Sequence, residues 1–152
     1  MIDGVEIKEL VTHSDERGFF RELIRVTDPF FKEGFAQWSH TVTHTGAAKA
    51  WHFHTKQVDW WYVAIGSVKA ALYDMREGSP TKGQLMEILL GDPYGPKVLK
   101  IPPGVAHGYR VLQGPMHLFY VTSQMYDARD EGRIPHDDPS LGYDWTAGPD
   151  IK

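Results

Sequence analysis

Apolar residues recur along this chain in short runs separated by turn-forming residues, without the spacing of a long helix. The runs Phe19–Val26, Ala36–Thr45, Trp60–Ile65, Val68–Tyr73, Leu85–Leu90, Lys97–Ile101, Gly108–Leu112 and His117–Thr122 are rich in aromatic and β-branched residues. Such residues fit a pleated, half-buried surface. No window of about 12 residues keeps the i, i+3, i+4, i+7 apolar spacing of an amphipathic helix. Asp92-Pro93, Gly95-Pro96, Pro102-Pro103-Gly104 and Gln113-Gly114-Pro115 punctuate the runs as turns. Many short strands at roughly 8–12-residue spacing predict an all-β sandwich or barrel. The one helix expected is brief, with Asp28 as cap and Pro29 at its first position, ending near Lys32. Residues 123–152 hold few apolar positions (Met125, Tyr126, Ile134, Leu141, Tyr143, Trp145) and are expected to be irregular chain packed onto the barrel.

Composition narrows the classes. A length of 152 residues predicts one domain, 1–152, large enough for a core without staples. Cysteine is absent, so disulfides and thiolate-held metals are excluded, and a reducing, cytoplasmic setting is expected. The net charge of −4 lacks the basic excess that binding a nucleic-acid backbone demands. The longest strongly apolar run, Trp60–Val68, falls far short of the ~20 residues of a membrane span. Acidic Asp3 and Glu6 near the N-terminus do not suit a signal peptide.

The first chemical signal is carried by histidine. Gly46 is followed by His52-x-His54, then Asp59 and Gly66, and later by Pro102-x-Gly104-x-x-His107. On a strand, residues two apart share a face, so His52 and His54 point together. A turn after His54 can return Asp59 to that face, and the Pro-Pro-Gly turn can deliver His107 from a neighbouring strand. The spacing resembles the two short motifs of the cupin superfamily, which implies a double-sheet β-barrel, the jelly roll, with short peripheral helices. Many cupins hold a divalent metal on three His and one carboxylate. By that resemblance His52, His54, Asp59 and His107 are candidate ligands for one Fe, Mn, Ni or Zn ion. The alternative is a polar barrel lining that binds no metal.

A longer resemblance covers the chain from about Asp15 to Trp145. It is carried by Asp15-Glu16-Arg17-Gly18-Phe19-Phe20-x-Glu22, Phe35-x-Gln37-x-Ser39-His40, Lys49-Ala50-Trp51-His52-Phe53-His54 and Pro102-Pro103-Gly104-Val105-Ala106-His107-Gly108. Phe119-Tyr120-x-Thr122-x-x-x-Tyr126 and the tail Asp137-Asp138-Pro139-x-Leu141-Gly142-x-Asp144-Trp145 add to it. These blocks resemble the dTDP-4-dehydrorhamnose 3,5-epimerases, isomerases of nucleotide-sugar and polysaccharide biosynthesis that are themselves cupin-like barrels.

The resemblance implies removal of a proton next to the C4 ketone of a nucleotide-diphosphate 4-keto-6-deoxy sugar, then reprotonation from the other face. Such chemistry needs a placed base, a placed acid and stabilisation of the enolate oxygen. His52 falls on the family's base. Tyr120, at the family's interval of 13 residues from His107, falls on its acid. Arg17, Phe20 and Glu22 fall on nucleotide-holding positions, Gln37 and Lys49 on positions near the nucleotide and its diphosphate, and His107 on the sugar site. The family takes no metal and is a homodimer with exchanged N-terminal strands, so neither cofactor nor nucleic-acid or membrane partner is implied.

Five departures bear on the chemistry. Lys49 stands where the family has Arg, keeping charge but not the bidentate fork. Ser39 replaces an Asn, His54 a Gln, and Asp59 the Lys expected to stabilise the enolate. The family's C-terminal Asp that orients the base has no counterpart in its local pattern here; Asp144 and Asp150 are the last acids. Two accounts follow. Either Asp59 orients His52 and proton abstraction survives, with His54 drawn into the substrate site, or His52, His54, Asp59 and His107 hold a metal that acts as a Lewis acid. A metal-bound His52 has no lone pair left for a proton, so the two roles exclude one another. A third reading is a non-catalytic sugar-nucleotide-binding cupin. Trp51, Trp60 and Trp61 are candidates for stacking but are expected to pack. His13, His40, His44, His117 and His136 are expected to be surface or core residues, and the acidic stretch Asp127–Glu131 a solvated face.

Overall fold

The structure, a computed structural model, describes residues 1–147. It contains ten strands and two short 3-10 turns. β1 is Glu6–Glu9, β2 Thr12–Asp15, β3 Gly18–Arg21, β4 Gln37–Thr43 and β5 Ala48–His54. β6 is Asp59–Asp74, β7 Leu85–Leu90, β8 Lys97–Ile101, β9 Val105–Thr122 and β10 Glu131–Arg133.

Two long central strands build both layers. The first half of β6 pairs with β8 and with the last part of β9, while its second half pairs with β7 and with the first part of β9. One layer is therefore β1, β8, β6, β9 and β4; the other is β7, β6, β9, β5 and β10. All of these pairings are antiparallel. The runs expected as separate strands at Trp60–Ile65 and Val68–Tyr73 are one strand. Gly66, at φ 79°, lets the chain cross from layer to layer without leaving the ladder. The same holds for the two runs that make β9.

Between the layers lies an apolar core that includes Trp61, Val63, Val68, Leu72, Leu99, Val111 and Leu118. Outside the first layer, Trp60 and Val98 pack against Phe31, Leu23 and Ile24 from the N-terminal segment. Outside the second, Trp51, Ala71 and Ala106 are covered by Ile134, Leu141, Tyr143 and Trp145. Burial of such aromatic side chains contributes on the order of 2–3 kcal/mol each, which is how the tail is fixed to the barrel.

Three local expectations are corrected. The run Phe19–Val26 is a strand only to Arg21, because Leu23 and Ile24 turn inward to the Phe31 cluster. The expected helix is a single 3-10 turn, Pro29–Phe31; the Asp28 carboxylate makes no cap and accepts instead from Lys8 Nζ at 2.6 Å and the Arg25 N–H at 2.9 Å. The tail is not wholly irregular: Glu131–Arg133 adds to the edge of β5 as β10. Among the described residues no helix is long and apolar enough to cross a membrane.

Candidate active site

At one end of the barrel, between β4, β5, β6, β9 and β10, lies a cavity of about 260 Å³. Its lining includes Gln37, Lys49, His52, His54, Asp59, His107 and Tyr120. These seven sequence-expected residues come together from four strands. Arg17, Phe20 and Glu22 do not line it. They lie on or just after the β2–β3 hairpin, which forms its own two-stranded sheet, and Arg17 and Glu22 pair locally with Asp15 and Arg25.

Strand alternation alone would send Lys49 and His52 to opposite faces. The register slips between them: Lys49 pairs with Tyr109 but His52 with His107, so three steps on β5 match two on β9. This bulge re-aims the chain so that Lys49, His52 and His54 all face the cavity. Gly108 stands opposite the bulge. A Cβ there would come within 2.5 Å of the Ala50 Cβ and 2.7 Å of the Lys49 carbonyl oxygen.

His52 Nδ1 lies 3.1 Å from Glu131 Oε1. A carboxylate can only accept, so Nδ1 is the donor of this hydrogen bond. This corrects the expectation that Asp59 orients His52, and the expectation that Asp127–Glu131 is only a solvated face. Asp127 and Glu131 line the cavity. Asp130 accepts from the Thr55 hydroxyl and from the N–H groups of Thr55 and Lys56. Burial raises the Asp130 pKa, but those hydrogen bonds outweigh it and hold the carboxyl below its ordinary value.

Asp59 instead faces His107. Its Oδ2 lies 3.8 Å from His107 Nε2, and its Oδ1 accepts from Gln57 Nε2 at 2.7 Å. Trp61 Nε1 donates to Oδ2 at 3.4 Å. His107 Nδ1 donates to the Val105 carbonyl at 3.0 Å. Burial of the His107 ring pushes its pKa below the ordinary imidazole value; Asp59 and the Val105 carbonyl oppose this without overcoming it. The four-ligand metal set expected from the spacing is not assembled. His54, Asp59 and His107 can bring one ligand atom each within 4.8 Å of the others, whereas His52 is turned to Glu131.

Gln37 reaches the cavity from β4 and ties it to the loop after β9: its Oε1 accepts the Tyr126 N–H at 2.9 Å and its Nε2 donates to Ser39 Oγ at 3.1 Å. Trp51 and Trp60 are buried packing residues, as expected; Trp61 is buried too but also lines the cavity. Sequence reasoning missed Gln57, Tyr126 and Glu131. The signal for Glu131 was slight, a three-residue alternation Glu131-Gly132-Arg133 with no apolar partner.

A double-sheet jelly-roll barrel with a carboxylate-oriented imidazole and a tyrosine in one end defines a cupin-type enzyme. The whole chain, residues 1–152, matches the profile described as dTDP-4-dehydrorhamnose 3,5-epimerase. It is 47% identical over 149 residues to the spore coat polysaccharide biosynthesis protein SpsL of Bacillus subtilis, covering 96% of this chain and 97% of that protein. It is 32% identical to the probable low-salt glycan biosynthesis epimerase Agl13 of Haloferax volcanii, covering 96% of each. Among solved structures, the dTDP sugar isomerase of Desulfovibrio desulfuricans G20 superposes with a TM-score of 0.89 at 26% identity, over 97% of this chain and 94% of that one. The Legionella pneumophila RmlC epimerase in complex with dTDP-4-keto-L-rhamnose gives 0.87 at 29% identity, over 100% and 84%. The chain belongs to the dTDP-4-dehydrorhamnose 3,5-epimerase family and is an isomerase-type enzyme acting on a nucleotide sugar.

Proposed function

We propose that this chain inverts carbon next to the C4 ketone of a dTDP-linked 4-keto-6-deoxy sugar, with His52 as base, Glu131 as its orienting carboxylate and Tyr120 as acid. The observation that carries this reading is the His52–Glu131 pair at 3.1 Å, in a cavity that Tyr120 also lines. With its Nδ1 proton on Glu131, His52 offers Nε2 to the C–H beside the ketone. The carboxylate stabilises the imidazolium that results, which is the role of the acidic member in hydrolase triads. The Tyr120 hydroxyl returns a proton to carbon from the other face. The Legionella relative, solved with dTDP-4-keto-L-rhamnose, supports the substrate class. No resident cofactor is needed for either proton transfer.

We assign the nucleotide end to Gln37 and Lys49 together with Arg17, Phe20 and Glu22 of a second copy. Among the described cavity-lining residues Lys49 is the fixed cation, against Asp59, Asp127 and Glu131. A diphosphate needs more positive charge than that. The β2–β3 hairpin stands off the main sheet and exposes Phe19, Phe20 and Arg17, with Phe35 and Trp38 also exposed nearby in sequence. A homodimer in which each hairpin completes the other's site accounts for both facts. Absence of cysteine fits a cytoplasmic enzyme.

The test is deuterium wash-in from solvent to a dTDP-4-keto-6-deoxy sugar, followed by NMR. Wash-in lost in His52→Ala, and inverted product lost in Tyr120→Phe, is the expected result. Undiminished wash-in and product in both variants would overturn the assignment.

A further inference from the structure

β10 is a short strand, Glu131–Arg133, and two different devices hold its ends against β5. At its C-terminal end the hold is main-chain and apolar. Trp51 and Ile134 exchange backbone hydrogen bonds at 3.0 and 3.1 Å, and Ile134 packs into the Trp51 cluster under the tail. Hydrogen-bonded pairs recur at every second residue of an antiparallel ladder. Given the register of Glu131 with His54, Gly132 with Phe53 and Arg133 with His52, the next such pairs are Gly132–Phe53 and Asp130–Thr55. At Asp130 a side chain takes over from the ladder. Its Oδ1 accepts the Thr55 N–H at 3.0 Å and also the Thr55 hydroxyl, and its Oδ2 accepts the Lys56 N–H at 3.3 Å. The Asp130 side chain is 13% exposed, with Oδ2 4.0 Å from His54 Nδ1. It does not line the cavity itself.

We infer that Asp130 is a positioning residue for the proton transfer: its carboxylate pins the chain just before β10 to the β5–β6 turn and so sets Glu131 within reach of His52. Glu131 Oε1 meets His52 Nδ1 at 3.1 Å across a diagonal of the strand pair. Such a bond has little slack, since it is lost by about 3.6 Å. Downstream, the nearest hold is Ile134, and Gly132 lies between with the backbone latitude of a glycine. Upstream, Asp130 holds the chain at the adjacent residue. Thr55 and Lys56 are exposed turn residues away from the large core clusters, so the clamp serves the site more than the barrel. The same turn carries Gln57, whose Nε2 donates to Asp59 Oδ1 at 2.7 Å. One clamp thus joins both carboxylate–imidazole pairs of the cavity, Glu131 with His52 and Asp59 with His107. The inference rests on the epimerase reading of His52 and Glu131.

The test follows the Glu131–His52 bond and the reaction separately. An imidazole proton held by a carboxylate resonates far downfield in the proton NMR spectrum, and its loss in His52→Ala assigns it. The signal is expected in the wild type and absent in Asp130→Ala. Deuterium wash-in is expected to fall about 10²-fold in Asp130→Ala with KM little changed. Asp130→Asn keeps Oδ1 and its two Thr55 bonds and is expected to lose far less. In a Glu131→Gln background, Asp130→Ala is expected to cost less than about 3-fold, because residues acting through one another are not additive. The full loss repeated in that background, a loss seen only in KM, or a downfield signal kept in Asp130→Ala would overturn the inference. If Asp130→Ala fails to fold by circular dichroism, Thr55→Val, which removes the hydroxyl donor from an exposed turn, is judged in the same two backgrounds. No wash-in by the wild type, with the signal still lost in Asp130→Ala, removes the epimerase reading and supports the clamp. Wash-in by the wild type, with the signal untouched in Asp130→Ala, does the reverse.

Discussion

Glu131 on β10 reaches His52 diagonally across the strand pair: Glu131 is registered opposite His54 and Arg133 opposite His52, yet Glu131 Oε1 lies 3.1 Å from His52 Nδ1. Diagonal neighbours on antiparallel strands are about 7–8 Å apart, within reach only of long side chains. Length and charge are therefore both required. Glu131→Gln keeps the reach and loses the charge; Glu131→Asp keeps the charge and loses the reach. Each is expected to slow deuterium wash-in by about 10²-fold or more, with KM for the sugar nucleotide little changed. Single-turnover exchange followed by NMR measures it.

Gly132 makes that reach possible. A Cβ at this position would meet the Phe53 ring at 2.0 Å, so either the ring must swing aside or β10 must lift from β5. Gly132→Ala is expected to mimic loss of Glu131 in the exchange assay while the barrel still folds, because the large core clusters lie elsewhere. Near-UV circular dichroism and exchange rate, measured on the same sample, separate the two effects.

Arg17 is exposed and its partner Asp15 is a near neighbour in sequence. A surface pair of this kind, screened by solvent, contributes little to stability. Arg17→Ala is expected to leave the melting temperature within about 1 °C and, if the proposed dimer carries its guanidinium into a neighbouring subunit's site, to raise KM for the nucleotide sugar. Sedimentation of the wild type as a dimer and an unchanged kcat complete the expectation.

Asp74 provides the pH-dependent prediction. Its side chain is 0% exposed. Hydrogen bonds from Arg76, then Ser79 and Thr81, hold its carboxyl well below the usual carboxylate range despite burial. A carboxyl whose folded value is lowered stabilises the fold fully above its unfolded value of about 3.9, and that contribution fades as pH falls through the lower folded value. Asp74→Asn leaves Arg76 beside a neutral amide and is expected to cost about 3 kcal/mol near neutrality. The gap in denaturant midpoint between variant and wild type should narrow below about pH 4. A gap independent of pH would rule out the charge as its source.

Much of the barrel is legible from alternation and turns. β7 and β8 are bounded as the pattern of apolar residues predicts, since turn residues stop both, although β8 is buried on both faces and does not alternate. β1, β2 and β10 are not legible. Glu6–Glu9, Thr12–Asp15 and Glu131–Arg133 are short and mostly polar, and they become strands only because a neighbour offers an open edge. The two long strands read as four because Gly66 and Gly114-Pro115 look like terminators, whereas tertiary pairing carries the ladder past them.

The sequence by itself determined the all-β class, the family blocks and seven of the cavity's lining residues, because residue type and two-residue periodicity are local properties. Only the tertiary structure decided which carboxylate serves which imidazole. Glu131 and His52 are 79 positions apart. They meet through a β5 bulge, a glycine that clears Phe53 and a tail fixed by Trp51 and Trp145. Hydrogen bonds of about 3 Å depend on such registers to within one residue, and no local pattern encodes a register set by strands so distant in the chain.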